Sequence, residues 1–452
     1  MSKVSVFAIP TNRIIDTAVI SASNEIYAAK EYINEDIKLV IVDNSTSSIL
    51  EHNTKFLKDF SNISHMKIMH LTLENQIKII KEISIISGVE LDELMDLLLP
   101  KGCDYGRISN MIYLIVTMLG SDVFFRRDSD CNVRKIPKDQ YPILQEVKYL
   151  GKKINTVKKH LSNSIIADSF GKEEILVVGG DYFGEWNLDV KDLKDRDENI
   201  IRNLVKLNDI EEALIDDYIE VKYSEMINKN AEKPVLISVY NQKGPNKFLS
   251  KEIHRYPECG NISMKDVFKW IPSFVGLNGI AFDYNTQQLS SFLKVPILYH
   301  CNKINHDYDN GRKEIEALKP YWKGIIKQND LSLLTTKFSH KLFDKLSFNN
   351  KISNFNQMKK LANKDIPDFF EESFYSISTK ERIDRIDALI NDVLLSSKID
   401  KYKVIAEYLS ENKFDILDEL NNDYHKSVKL HRLWPKIMEA STYVLKKGML
   451  LK

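Results

Sequence analysis

Short apolar runs alternate with longer amphipathic stretches along the first third of the chain. Residues 4–9 form an apolar run closed by Pro10, and residues 37–42 and 66–71 repeat the type, so each is expected to be a buried strand. Between the first two, residues 16–33 carry helical spacing. Asp16 is the expected cap, and Val19, Ile20, Ile26, Ala29 and Tyr32 form the inward stripe. Residues 47–60, 73–86 and 89–99 read as further helices. Strand and helix alternating through short connections predict an α/β fold: a Rossmann-like, mainly parallel sheet flanked by helices. In such sheets ligands bind outside the carboxyl ends of the strands. Residues 10–13, 43–45 and 128–130 all follow expected strands, so one crevice can collect them.

The stretch 105–131, YGRISNMIYLIVTMLGSDVFFRRDSDC, organises the rest. Met111, Ile112, Leu114, Ile115, Met118 and Leu119 recur at helical spacing, Gly120 ends the run, and residues 122–125 read as a short strand. Asp128 and Asp130 flank Ser129 at its end, framed by Arg107, Arg126, Arg127 and Arg134. Hard cations take oxygen ligands, and guanidinium forks take phosphate oxygens. Alone, a D-x-D also suits a solvated turn. Its place after a strand and a Gly106-Arg107 helix start favours a metal holding a diphosphate.

Beyond residue 131 the pattern loosens. Residues 148–164 are expected to be helical, 175–178, 234–240 and 295–299 to be strands, and 192–230 to be a charged helix-like stretch, either an insertion or a helical pair. Residues 274–284, FVGLNGIAFDY, combine glycines with a short strand. From about Ser332 onward only helical periodicity is found. The expected organisation is a catalytic sheet domain over 1–325 and an appended helical region over 326–452.

Composition narrows the function. The 452 residues carry 64 basic and 64 acidic side chains, with 43% apolar residues. Balanced charge argues against a general nucleic-acid binder, and no apolar run approaches the ~20 residues of a membrane helix. Cys103, Cys131, Cys259 and Cys301 form no C-x-x-C pair and read as free thiols, so a cytoplasmic location is expected. No phosphate-binding G-x-x-x-x-G-K-[ST], nucleophile elbow or dinucleotide fingerprint is present.

The remaining candidates lie on loops. Asp43 can accept hydrogen bonds from a base or ribose, with Arg13 over the phosphates or base. His300 and His306, near Asp307 and Asp309, offer a third metal ligand, either one being possible. Asp181 and Glu185 sit among Tyr182, Phe183 and Trp186, a setting suited to a sugar, and Asp283 is another candidate carboxylate.

Together these residues resemble the nucleotide-sugar half of GT-A type glycosyltransferases. Residues 4–13, the VDNS at 42–45, the Gly106-Arg107…Asn110 helix start and FFRRDSD carry the resemblance, which covers about residues 1–315. It implies a metal-dependent glycosyltransferase using a UDP- or GDP-sugar, with Mn²⁺ or Mg²⁺ as cofactor and an acceptor hydroxyl not identified by the motifs. It implies nucleotide-sugar binding by Pro10, Thr11, Arg13, Asp43, Arg107, Asp128 and Ser129. Metal binding would fall to Asp128 and Asp130 with His300 or His306. The segment 274–283 resembles the acceptor segment but lacks a following Glu-Asp pair, so inversion and retention both stay open. Asp181, Glu185 or Asp283 would be the base of an inverting enzyme. Two rivals share features of the chain: a sugar-1-phosphate nucleotidyltransferase, and a non-catalytic interaction protein with a degenerate sheet domain. The short, glycine-free PTNR loop disfavours the first and the intact D-x-D the second.

Overall fold

The computed structural model describes residues 4–33, 35–102, 104–161, 171–184, 190–210, 212–222, 233–237, 257–293, 295–307, 313–348 and 355–444. The strands are β1 (Val4–Thr11), β2 (Asp36–Asp43), β3 (Ile68–Leu71), β4 (Val123–Arg127), β5 (Cys131–Asn132), β6 (Val177–Gly179), β7 (Tyr182–Gly184), β8 (Val235–Leu236), β9 (Asn261–Lys265), β10 (Ile297–Tyr299) and β11 (Ile304–His306). Eight of them form one sheet in the order β3-β2-β1-β4-β9-β6-β10-β8, and β5-β11-β7 form a second, small sheet. The pairs β3–β2, β2–β1, β1–β4 and β6–β10 are parallel, whereas β9 and β8 run against their neighbours. The fold is therefore α/β with a mainly parallel sheet, as the strand–helix alternation predicts.

The helices of the first third are α1 (Asp16–Ala29), α2 (Ser47–Ser64), α3 (Leu73–Ser87), α4 (Leu91–Leu98) and α5 (Tyr105–Met118), followed by α6 (Pro142–Tyr149). The pleat of β4 divides them. Phe124 points into the apolar layer shared with Leu94, Leu97 and Ile112, and Phe125 into the layer shared with Val19, Leu57 and Ile143. Successive side chains of a strand face opposite ways. Arg126 and Arg127 inherit the same division, which decides their roles below.

After residue 313 the described chain is helical, from Ile315–Phe348 to Lys413–Val444. Trp322, Phe370, Tyr424 and Trp434 of these helices join the same apolar cluster as Phe124 and Ile112. The helix Ile315–Phe348 runs through the 325/326 position. Trp434 Nε1 donates to the Phe268 carbonyl at 3.0 Å, and the Ser427 hydroxyl accepts from the Val275 amide at 3.0 Å. The C-terminal helices thus hold the 268–275 segment from behind.

Several local expectations are corrected. β1 is not stopped by Pro10, since the ladder with β2 continues through Pro10↔Val42 and Thr11↔Asp43. Pairing with β4 ends at Ala8↔Arg126, so proline sits where one side of the ladder has already finished. Asp16 does not cap α1: Ile15 occupies that position and Asp16 pairs with His52 at 2.9 Å. The helix ends at Ala29, before Tyr32, and both Ile20 within it and Tyr32 beyond it are exposed, not inward. The expected helix over 148–164 is broken: α6 ends at Tyr149, a short helix Ile154–Val157 and a 3₁₀ turn Lys158–His160 follow, and 162–164 lie outside the described residues. The 274–284 segment contains no strand. It is a loop closed by a 3₁₀ turn, Phe282–Tyr284.

β9 has no counterpart in the apolar pattern. Asn261 and Ser263 are fully buried there, because Asn261 donates to the Asp181 carbonyl at 2.9 Å and Ser263 to the Val178 carbonyl at 3.0 Å. Buried polar side chains that find partners erase the hydrophobic signal of an interior strand.

Candidate functional site

A crevice of about 290 Å³ opens at the carboxyl ends of β1, β2 and β4. Its strand-end wall is Pro10, Thr11, Asn12, Arg13, Asn44, Arg126, Asp128, Ser129 and Asp130. The facing wall includes Tyr105 and Ile108 from the start of α5, Asn278 and Ile280 from the loop, and Pro320 and Tyr321. Residues 10–13 and 128–130 therefore converge, as expected. Thr11 stiffens the first loop: its hydroxyl accepts from the Arg13 amide at 3.1 Å and donates to the Arg13 carbonyl at 2.9 Å.

α5 can start at the crevice because Gly106 lets it press against the loop. A Cβ there would lie 1.5 Å from the Phe274 carbonyl oxygen. Asn110 completes the junction by bonding both the amide and the carbonyl of Ser273, at 2.8 and 3.0 Å.

Asp128 is held on both oxygens. Oδ1 accepts from Arg126 Nε at 3.1 Å and Nη2 at 2.9 Å, and Oδ2 accepts from the Tyr182 hydroxyl at 3.2 Å. That hydroxyl also accepts from the Gly260 amide at 2.8 Å. Asp130 faces a different set. Its Oδ2 accepts from Arg13 Nη1 at 3.2 Å and lies 3.6 Å from His306 Nε2. The small sheet explains this meeting: β11 pairs antiparallel with β5 in the register His306↔Cys131, one residue past Asp130. The His306 ring also stacks on Tyr182, with centroids 5.0 Å apart.

Other expected residues stand elsewhere. Arg107 is buried, bonding the Asp104 carboxylate and, at 3.0 Å, the Asp96 carbonyl, so it braces the start of α5 instead of lining the crevice. Arg127 lies on the opposite face of β4, between Glu25 and Glu146 at 2.8 and 2.9 Å. Of the four arginines around the D-x-D, only Arg126 lines the crevice, and Arg13 joins it there.

The Asp43 side chain is fully buried and accepts from the Ser45 amide, Asn53 and His70 at 2.8 to 3.0 Å. Burial works against its charge, but these hydrogen bonds prevail and hold its pKa below the ordinary carboxylate value. Asn44, its neighbour, reaches the crevice.

Asp283 sits behind Arg126, bonded to Nη2 at 3.1 Å and almost fully buried. Burial, with Asp128 nearby, pushes its pKa up against the pull of Arg126. Asp181 accepts from the Tyr182 amide and the Tyr299 hydroxyl, at 2.9 and 3.3 Å, off the crevice lining. Glu185 lies outside the described residues. His300 is wholly buried against Gly180, and burial, helped by Arg127, takes its pKa down to about 3. The structure brings His306, not His300, to Asp130.

Among the described residues no three His, Cys, Asp or Glu side chains are grouped to cage an ion. The donor pair Asp130 and His306 nonetheless fits an ion shared with a ligand. Mg²⁺ and Mn²⁺ sites often supply only one or two protein groups, the remaining positions being water and phosphate oxygens. Sequence reasoning singled out the 274–283 segment that supplies Ile280, but missed Pro320 and Tyr321. Nothing local in the helix Ile315–Phe348 marks its early turns as part of a site.

The sequence profile of a family of unknown function (DUF6271) matches residues 3–448, and the chain belongs to that family. No curated protein matches the sequence. Among solved structures, the chain is similar to glucosyl-3-phosphoglycerate synthase from Mycobacterium tuberculosis in complex with Mn²⁺, UDP and glucosyl-3-phosphoglycerate. Identity is 13%, over 74% of this chain and 80% of that one, with a TM-score of 0.34. The same enzyme with Mn²⁺, UDP-glucose and phosphoglyceric acid gives 11% identity over 73% and 80%, with a TM-score of 0.34. No helix among the described residues is long and apolar enough to cross a membrane.

Proposed function

We propose that this family member is a glycosyltransferase with a GT-A-like donor site that moves a sugar from a nucleoside diphosphate to an acceptor hydroxyl. The observation that carries this reading is the convergence of residues 10–13 with Asp128, Ser129 and Asp130 in one crevice at the strand ends. Pro10, Thr11, Asn12 and Asn44, at the ends of β1 and β2, border the nucleoside. Arg13 and Arg126 face the diphosphate, where guanidinium groups offset its charge. Asp130 and His306 would hold Mn²⁺ or Mg²⁺. Such an ion, when bound, neutralises diphosphate charge and so eases departure of the leaving group.

In the transfer, the bond from the anomeric carbon to the diphosphate oxygen breaks, and its electron pair leaves with the nucleoside diphosphate. The acceptor oxygen bonds to the anomeric carbon. Asp283 is covered by Arg126 and Asp181 is off the crevice, and in this reading the departing diphosphate, not either of these two, takes the acceptor proton. Residues 1–325 carry the donor site, and the helices of 326–452 support its far wall. A thermal-shift screen of UDP, GDP and their sugars with and without Mn²⁺ tests the reading. A ligand that binds only the folded chain raises the midpoint by mass action, and no shift with any nucleotide would reject it.

A further inference from the structure

The two walls of the crevice differ in chemistry. The strand-end wall carries Arg13, Arg126, Asp128 and Asp130, while the facing wall is mostly apolar, with Tyr105, Ile108, Ile280, Pro320 and Tyr321 beside Asp104 and Asn278. We propose that the second wall seats the acceptor, and that the acceptor is an alcohol borne on an apolar ring, aromatic or alicyclic. This rests on the glycosyl transfer proposed above.

The apolar wall is built to keep its shape. Ile108, Ile280 and Tyr321 each pack one side against the main core, leaving the other toward the crevice. Helix and loop touch closely, since a Cβ on Gly324 would lie 2.5 Å from the Asn278 carbonyl oxygen and 2.7 Å from Ile280 Cγ1. From behind, the buried Lys327 ammonium donates to the Leu277 carbonyl at 2.7 Å and to Asp423 at 2.6 Å. A preformed apolar surface gains binding free energy by displacing water and loses little to ordering. Pro10, Thr11, Asn12 and Asn44 also line the crevice and offer a nucleoside contacts that do not use Tyr321 or Ile280.

A ring alcohol laid against Tyr321 and Ile280 turns its hydroxyl toward the charged wall, where the donor's anomeric carbon lies beside the diphosphate. Asn278 adds an amide at that edge. The hydroxyl oxygen of the ring alcohol then bonds to the anomeric carbon as the nucleoside diphosphate leaves with the electron pair and takes the alcohol's proton.

The test uses the full chain with Mn²⁺ and whichever UDP- or GDP-sugar it binds. Cyclohexylmethanol and 4-hydroxybenzyl alcohol are compared with glucose and glycerol phosphate as acceptors. The ring alcohols should be glycosylated, and Tyr321→Ala and Ile280→Ser should each raise their KM about tenfold, the loss of one apolar contact. The nucleotide dissociation constant, read separately by calorimetry, should change less than about twofold. A bound donor transferred only to glucose or glycerol phosphate, or not transferred at all, overturns the inference. So do variants that weaken the nucleotide instead of the acceptor. Failure of every nucleotide and nucleotide sugar to bind is a different result, and rejects the glycosyltransferase reading itself.

Discussion

His306 Nε2 lies 3.6 Å from Asp130 Oδ2 although the two residues belong to distant parts of the chain. Strand pairing between β11 and β5 creates the meeting, and the stack on Tyr182 fixes the plane of the imidazole. The same Tyr182 hydroxyl bonds Asp128, so one small sheet positions both carboxylates of the D-x-D.

Tyr182→Ala removes the ring stacked on His306 and should weaken metal-dependent nucleotide binding about 10- to 100-fold, the usual effect of losing a partner that orients a ligand group. The Gly260 amide also loses its acceptor, which costs about 1–3 kcal/mol of stability. Calorimetry and chemical denaturation read the two effects separately, and unchanged affinity would remove Tyr182 from the site.

Asp283→Asn distinguishes a proton acceptor from a brace. Asp283 reaches the crevice only through Arg126. The variant should lose about 1.5–3 kcal/mol of stability, as for a hydrogen bond to a charged group. Its pH–rate profile should keep its shape while the rate falls. Disappearance of one limb of that profile would make Asp283 the base.

Lys327→Met should destabilise the chain by about 3–5 kcal/mol, because it leaves Asp423 buried without its cation. The loop that Lys327 holds through the Leu277 carbonyl should loosen as well. Faster amide exchange over residues 276–281 is the expected signature. A shift in global stability with unchanged exchange there would separate the buried pair from the crevice wall.

Glu146→Gln should flatten part of the stability–pH curve. Burial raises the Glu146 pKa from 4.5 to about 7, against the pull of Arg127, with Glu25 adding to the rise. Below 4.5 both folded and unfolded chains hold this proton. Between there and about 7 the folded chain holds it and the unfolded chain releases it, so this contribution to stability falls as pH rises. Glutamine has no proton to release, and denaturation across that range should show a smaller slope. An unchanged slope would contradict the assignment.

Much of the framework was legible in the sequence because parallel strands buried on both faces leave continuous apolar runs. β1, β2 and the start of β4 announced themselves this way, and the loops after β1 and β4 met as expected at Thr11, Arg13, Asp128 and Asp130, whereas β3 is a half-exposed edge strand. What stayed hidden depended on contacts across the chain. β9 is polar along one face because Asn261 and Ser263 find carbonyl partners inside the sheet. Four arginines around a D-x-D looked alike, yet pleating sends Arg126 to the crevice and Arg127 to Glu25 and Glu146. The choice between His300 and His306 needed the β11–β5 register. The apolar wall around Tyr321 needed the packing of the long helix against the 278–280 loop.

The central claim is that Asp130, with His306, makes nucleotide binding depend on a divalent ion. Calorimetric titration of UDP and GDP into wild type and Asp130→Asn, with and without Mn²⁺, tests it most directly. Wild type should bind one nucleotide only when Mn²⁺ is present, and Asp130→Asn should lose that binding while melting like wild type. Nucleotide binding of wild-type strength in the Asp130→Asn chain, or binding indifferent to Mn²⁺, would contradict it.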